Sequence, residues 1–177
     1  MIALPLIPPW EELHPLVVHF PIALLLTAPL FIMLGALVPP KRSRPYMIAA
    51  LLLMVLGTTG AWFAVATGEA TADLVTRNPD VSAVLERHES LAEKVRVVFT
   101  AATLLFAAIL LMPKALHRDA TRLSTSIVPL VFTLAYGGAA LLLANTAHQG
   151  GRLVHELGSS PPTVEQPVSA TIEQHND

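Results

Sequence analysis

The stretch from His14 to Pro40, HPLVVHFPIALLLTAPLFIMLGALVPP, contains no Asp, Glu, Lys or Arg. The same holds for residues 45–68, 97–113 and 123–151, while the charged residues gather between these runs. About 20 residues at about 1.5 Å rise cross a hydrocarbon core about 30 Å thick, so each run can hold a spanning helix. The shortest run, 97–113, is lengthened by the amphipathic segment before it. A soluble bundle would carry a polar stripe along each helix, and these segments carry none.

The expected fold is therefore all-α, an integral membrane four-helix up-and-down bundle. Its helices are expected at about residues 14–38, 46–68, 81–112 and 124–148, within one transmembrane domain over 1–158. Residues 159–177, rich in Pro, Ser and Gln, read as a disordered polar tail. No basic region precedes the first apolar run, which follows Trp10, Glu11 and Glu12, so the first helix is expected to be retained rather than cleaved. The chain has 177 residues, 53% of them apolar, a net charge of −2 and no cysteine. That charge suggests neither nucleic acid nor a polybasic lipid-binding surface, and the lack of thiols excludes disulfides, thiolate metal sites and covalent c-type haem.

Loop charge sets the expected orientation. Lys41, Arg42 and Arg44 follow the first run, and Lys114, Arg118 and Arg122 follow the third against only Asp119. By the positive-inside rule those loops face the cytoplasm, which puts both termini outside a bacterial inner membrane. Five of the seven histidines, His14, His19, His88, His148 and His155, then fall at the outer end, with His117 at the inner end and His175 in the tail. Counted along straight helices, His14, His88 and His148 share one level, about 37 Å from the inner boundary, with His19 about 7 Å deeper. Helices one and three are diagonal partners in an up-and-down bundle, so His14 or His19 can face His88 across the axis. Neutral imidazole is a haem and metal ligand, and an ionisable group at membrane depth needs a partner.

Other features are consistent with such a site and with ordinary packing alike. Small residues recur at Gly60, Ala64 and Gly68 on helix two and at Ala140, Ala144, Gly137 and Gly138 on helix four. They either let helices approach closely or leave clearance for a flat macrocycle. The face below His88, with Ala92, Val95, Phe99, Ala102 and Phe106, is typical of a packed core. The pair Gly150-Gly151 is expected to end helix four.

The opening His14-Pro15-Leu16-Val17-Val18-His19-Phe20-Pro21, followed by an apolar helix, resembles a bacterial integral-membrane family known as domain of unknown function 2231. Ala66-Thr67-Gly68 at the end of the second run, His88 before the third, and His148-Gln149-Gly150-Gly151-Arg152-Leu153-Val154-His155-Glu156-Leu157-Gly158 after the fourth look like its other motifs. The resemblance covers roughly residues 13–158. Gln149 departs from it, standing where many relatives have Gly directly after His. Membership implies four spans, outward-facing histidines and, from association with cytochrome-like or Rieske-like modules, respiratory redox work.

Two functional readings and a cofactor-free one follow. In the first, the protein binds haem b near the outer face through His14 or His19 and His88 or His148, with Arg152 or Arg96 near the propionates, and passes electrons between quinol and a periplasmic cytochrome or other redox protein, as an electron carrier or a respiratory anchor subunit. In the second, His14, His88 and His148, with Glu89 or Glu69, hold a single Cu, Fe or Zn ion. In the third, the bundle is a scaffold, as a homo-oligomer or a subunit of a larger complex, with histidines that sense pH or touch a partner. No hydrolase triad, phosphate loop or HExxH motif is present, which points to an electron-transfer or accessory role rather than catalysis.

Overall fold

A computed structural model describes residues 9–115 and 121–158. The expected tail at 159–177, together with His117 and His175, lies outside the described residues. All regular structure among the described residues is helical. Four helices are long and apolar enough to cross a membrane: helix one His14–Leu37, helix two Pro40–Ala72, helix three Pro79–Leu111 and helix four Leu123–His155.

Helix one follows a 3-10 turn at Trp10–Glu12 and is broken once, at Val18, between His14–Val17 and His19–Leu37. It stops where Val38, before Pro39, turns extended at ψ 160°, as a residue preceding proline prefers. Pro40 then takes the first position of helix two, where its missing N–H costs nothing. Helix two thus begins before the expected residue 46. Pro45 forfeits one hydrogen bond, to the carbonyl of Lys41 near the helix end. Helix three starts at Pro79 because the side chain of Asn78 accepts the N–H of Val81 at 2.9 Å, capping the first turn. Helix four opens with a wide π turn at Leu123–Ile127 and continues as Val128–His155.

Helix four does not end at Gly150-Gly151 but runs on to His155. Both glycines keep helical geometry because the last two turns are held by side-chain contacts. Leu153 is buried against Val81, Leu85 and Ala72 in a small apolar cluster, and Arg152 pairs with Glu156 at 2.9 Å.

Each helix packs on its sequence neighbours, and helix four closes the ring on helix one, the up-and-down arrangement in which one and three, and two and four, are diagonal. Leu25, Ile32, Met54, Phe99 and Phe106 form the fully buried centre. Backbone polar groups inside apolar surroundings must find partners. Pro29 cannot return the hydrogen bond that Leu25 carbonyl would receive in a regular helix, and the Tyr136 hydroxyl of helix four donates to that carbonyl at 2.8 Å. Thr58 and Thr103 join helices two and three by a buried 2.9 Å bond between hydroxyls.

Two markers bracket the most apolar part of the bundle. Lys41, Arg42 and Arg44 crowd one end, the basic end. Toward the other end, the Trp62 indole donates to the Thr100 hydroxyl at 3.1 Å while the Arg96 guanidinium lies 4.5 Å from its ring centre, a typical interfacial anchor. Arg44 and Trp62 are about 27 Å apart along helix two, close to the hydrocarbon thickness. The helices extend beyond the Trp62 level, and His14 and His88 lie in that extension.

Candidate functional site

The structure brings two of the candidate histidines together. His14, at the first position of helix one, and His88, in the third turn of helix three, face each other across the bundle diagonal. Their ring centroids are 6.4 Å apart and their planes are nearly perpendicular, at 83°. Each is half-buried.

Each ring is fixed in the same way by a helix of the other diagonal. The Nδ1–H of His14 donates to the backbone carbonyl of Ala64 at 2.9 Å, and that of His88 donates to the carbonyl of Thr146 at 2.9 Å. A carbonyl can only accept, so Nδ1 carries the proton and, in the neutral ring, Nε2 is left with its lone pair. That is the tautomer and outer hydrogen bond typical of metal-ligating histidine. One turn beyond each carbonyl lies a glycine against which the imidazole rests. A Cβ on Gly68 would come within 2.9 Å of His14 Cε1 and 3.1 Å of its Nδ1; one on Gly150 would come within 3.0 Å of His88 Cε1 and 3.4 Å of Nδ1. Carbonyl and glycine, four residues apart, form a seat that accepts a flat ring and nothing larger.

The pair borders a cleft of about 800 Å³ between all four helices, within the range that takes a cofactor-sized ligand. Its walls beside the rings are built of small residues, among them Ala61, Ala64, Ala92 and Ala147, and its mouth carries Glu69, Asp73, Glu89 and Glu93 with Arg77. Gly137 and Gly138 are exposed, with no neighbour that an added Cβ would meet. That glycine pair of helix four therefore faces away from the rings, and the clearance around the rings comes from the four alanines.

The remaining candidates lie elsewhere. His19 is exposed, its Nδ1–H turned back to the Pro15 carbonyl at 2.8 Å, so the partner it needs is supplied by its own helix. His148 is exposed on the outer face of helix four, while its neighbour Gln149 points inward and is buried. The helical period explains this exchange, since Thr146 and Gly150 occupy the face toward His88. Arg152 is spent on Glu156 and on Gln149, at 3.3 Å, while Arg96 lies over the Trp62 ring with its Nε buried and without a hydrogen-bond partner. No group of three or more His, Cys, Asp or Glu residues placed to hold a metal ion occurs among the described residues. The trio His14, His88 and His148 with Glu89 or Glu69 is thus not assembled.

Sequence reasoning missed the carbonyls of Ala64 and Thr146 and the cation Arg77 at the mouth. The first two have a signal, a small residue four positions before a glycine toward the end of each even-numbered helix. Arg77 lies in a connection, where spacing carries no information about position.

Four apolar helices of spanning length, with a histidine pair at one end of the bundle, define the class as an integral membrane protein. The family model of a predicted membrane protein, DUF2231, matches residues 11–160, and the chain belongs to that family. No curated protein and no solved structure matches it.

Proposed function

We propose that His14 and His88 are the axial ligands of one haem b, and that the protein exchanges electrons between membrane quinol and a basic redox protein at the outer face of a bacterial inner membrane. The observation that carries this reading is the paired imidazoles, each anchored through Nδ1 to a backbone carbonyl at 2.9 Å, with the Thr67 hydroxyl a further 3.4 Å contact of His14. The two ring centroids lie 6.4 Å apart, a separation that one metal held by both rings would span.

The number of ligands separates haem from a bare ion. Zinc sites take three or four protein ligands, and only two histidines converge here. A macrocycle brings four nitrogens of its own and asks the protein for two. Haem iron held there supplies one-electron redox chemistry. Ala64 and Thr146 carbonyls orient the rings and raise the basicity of Nε2, Gly68 and Gly150 set their depth, and the alanine-lined walls leave room beside them. Arg77, whose guanidinium donates to the Ala72 carbonyl at 3.5 Å, is the cation lining the cleft that would meet a propionate carboxylate. The acidic residues around it favour a positively charged protein partner and speed its encounter. With the positive-inside orientation, both termini and the pair face the periplasm.

The test is to express the protein with haem supply, purify it in detergent, and record oxidised and dithionite-reduced spectra with haem quantified per chain. One haem per chain with a sharp reduced α band is expected. A blank spectrum after reconstitution with haem would overturn the assignment, and metal analysis of that sample would then show whether a bare ion occupies the pair. A reporter fused at the C-terminus is expected to be active outside the cytoplasm; activity inside would overturn the orientation.

A further inference from the structure

The basic end holds a second cavity, unrelated to the histidine pair. It measures about 380 Å³ and lies between helices two, three and four, with Lys41, Ser43 and Arg44 on one side and Met47, Phe106 and Ile109 below. Ser43 is 1% exposed, yet its Oγ has no hydrogen-bond partner. A buried hydroxyl normally finds one, because leaving it without a partner carries its full desolvation penalty. The hydroxyls of Ser124 and Thr125, which also line the cavity, are already donated to the Thr121 carbonyl at 3.0 and 2.8 Å. Ser43 alone is left wanting.

The surroundings specify the missing partner. Ser43 is in the first turn of helix two, whose amino terminus has no side-chain cap and presents the positive end of a 33-residue dipole. Lys41 and Arg44 are exposed, and the sole ion pair among the described residues is Arg152 with Glu156 at the opposite end. No described Asp or Glu lies near the basic end. The site therefore asks for an anion that accepts hydrogen bonds, and a helix amino terminus with basic neighbours suits a phosphate. Below the cations the wall is apolar and lies within the membrane span, which a free anion would leave uncovered. We propose that this cavity binds one anionic phospholipid, its phosphate against Ser43, Lys41 and Arg44 and an acyl chain along Ile48, Ile109 and Leu111. Basic pockets between transmembrane helices are suited to anionic headgroups.

Native mass spectrometry of the detergent-purified full chain tests this, with phosphatidylglycerol, phosphatidylcholine and inorganic phosphate as probes. One phosphatidylglycerol per chain is expected to be retained where phosphatidylcholine is not. Lys41→Gln and Arg44→Gln, both at exposed positions that folding tolerates, are each expected to weaken retention about five-fold, the effect of one basic residue at an anionic surface. Ser43→Ala is expected to weaken it without changing charge, and Arg87→Gln at the far end to leave it unchanged. Equal retention of both lipids, or full retention in the Lys41 and Arg44 variants, would overturn the proposal. Displacement of phosphatidylglycerol by inorganic phosphate alone would also overturn it, in favour of a free-anion site. A blank haem spectrum has no bearing on this outcome.

Discussion

Helices one and two build the same device as helices three and four, but they support it differently. In both halves a histidine of the odd helix donates through Nδ1 to a carbonyl of the even helix at 2.9 Å, and rests on a glycine one turn further on. His14 stands at the very start of its helix, on a four-residue piece behind a 3-10 turn. His88 stands well inside a helix that extends two further turns outward, braced by Val81 and Leu85 against Ala72 and Leu153. The near-twofold geometry at the rings is thus reached from unlike frameworks. Two matched imidazoles are what the proposed haem would need, whatever framework carries each of them.

Removing either ring is the strongest way to break the equivalence. His14→Ala and His88→Ala are each expected to abolish the low-spin haem spectrum completely, as measured by reduced-minus-oxidised absorption. Survival of that spectrum in either variant would remove the two-ligand proposal. The seats come next. Gly68→Ala is expected to lower haem retention about 10–100-fold, the usual effect of disturbing what orients a ligand. Gly150→Ala is expected to do less, because its Cβ meets His88 Cε1 at 3.0 Å and Nδ1 at 3.4 Å, where Gly68 meets His14 at 2.9 and 3.1 Å. A larger effect at Gly150 would reverse the ranking of the two seats.

The bracing of His88 is tested by Leu85→Ala. Leu85 is buried in the cluster beyond the uncharged runs, so its truncation is expected to cost about 2–5 kcal/mol of stability in that cluster. Hydrogen exchange should then show opening at Val81 and Leu153 while the His14 half keeps its protection. A smaller cost, about 1 kcal/mol, is expected of Tyr136→Phe, which strands the Leu25 carbonyl left free by Pro29. Thermal unfolding in detergent reads it. His19→Ala and His148→Ala, at exposed positions, are expected to leave the haem spectrum unchanged. Loss in either would mean that a different histidine pair is used.

The spans were legible because the absence of charge over 14–40, 45–68, 97–113 and 123–151 has one physical meaning, and the bundle follows from four such runs joined by charged connections at 41–44, 69–96 and 114–122. Element ends were less legible. Pro45 and Gly150-Gly151 look like boundaries when only local propensity is considered, yet helix two begins at Pro40 and helix four runs to His155. Tertiary contacts override the local preference there. The candidate site was legible as a level, not as a pair. Counting residues places His14, His88 and His148 at one depth but leaves the rotation of each helix open.

The amino-acid sequence by itself determined the membrane spans, the charge asymmetry of the two ends and the gathering of histidines at one of them, because each depends only on composition along the chain. Tertiary structure alone decided that His14 meets His88 while His19 and His148 turn outward. Helix azimuth is set by how Gly57, Gly60, Ala61 and their counterparts pack against neighbouring helices, and no stretch of sequence contains both partners of such a contact.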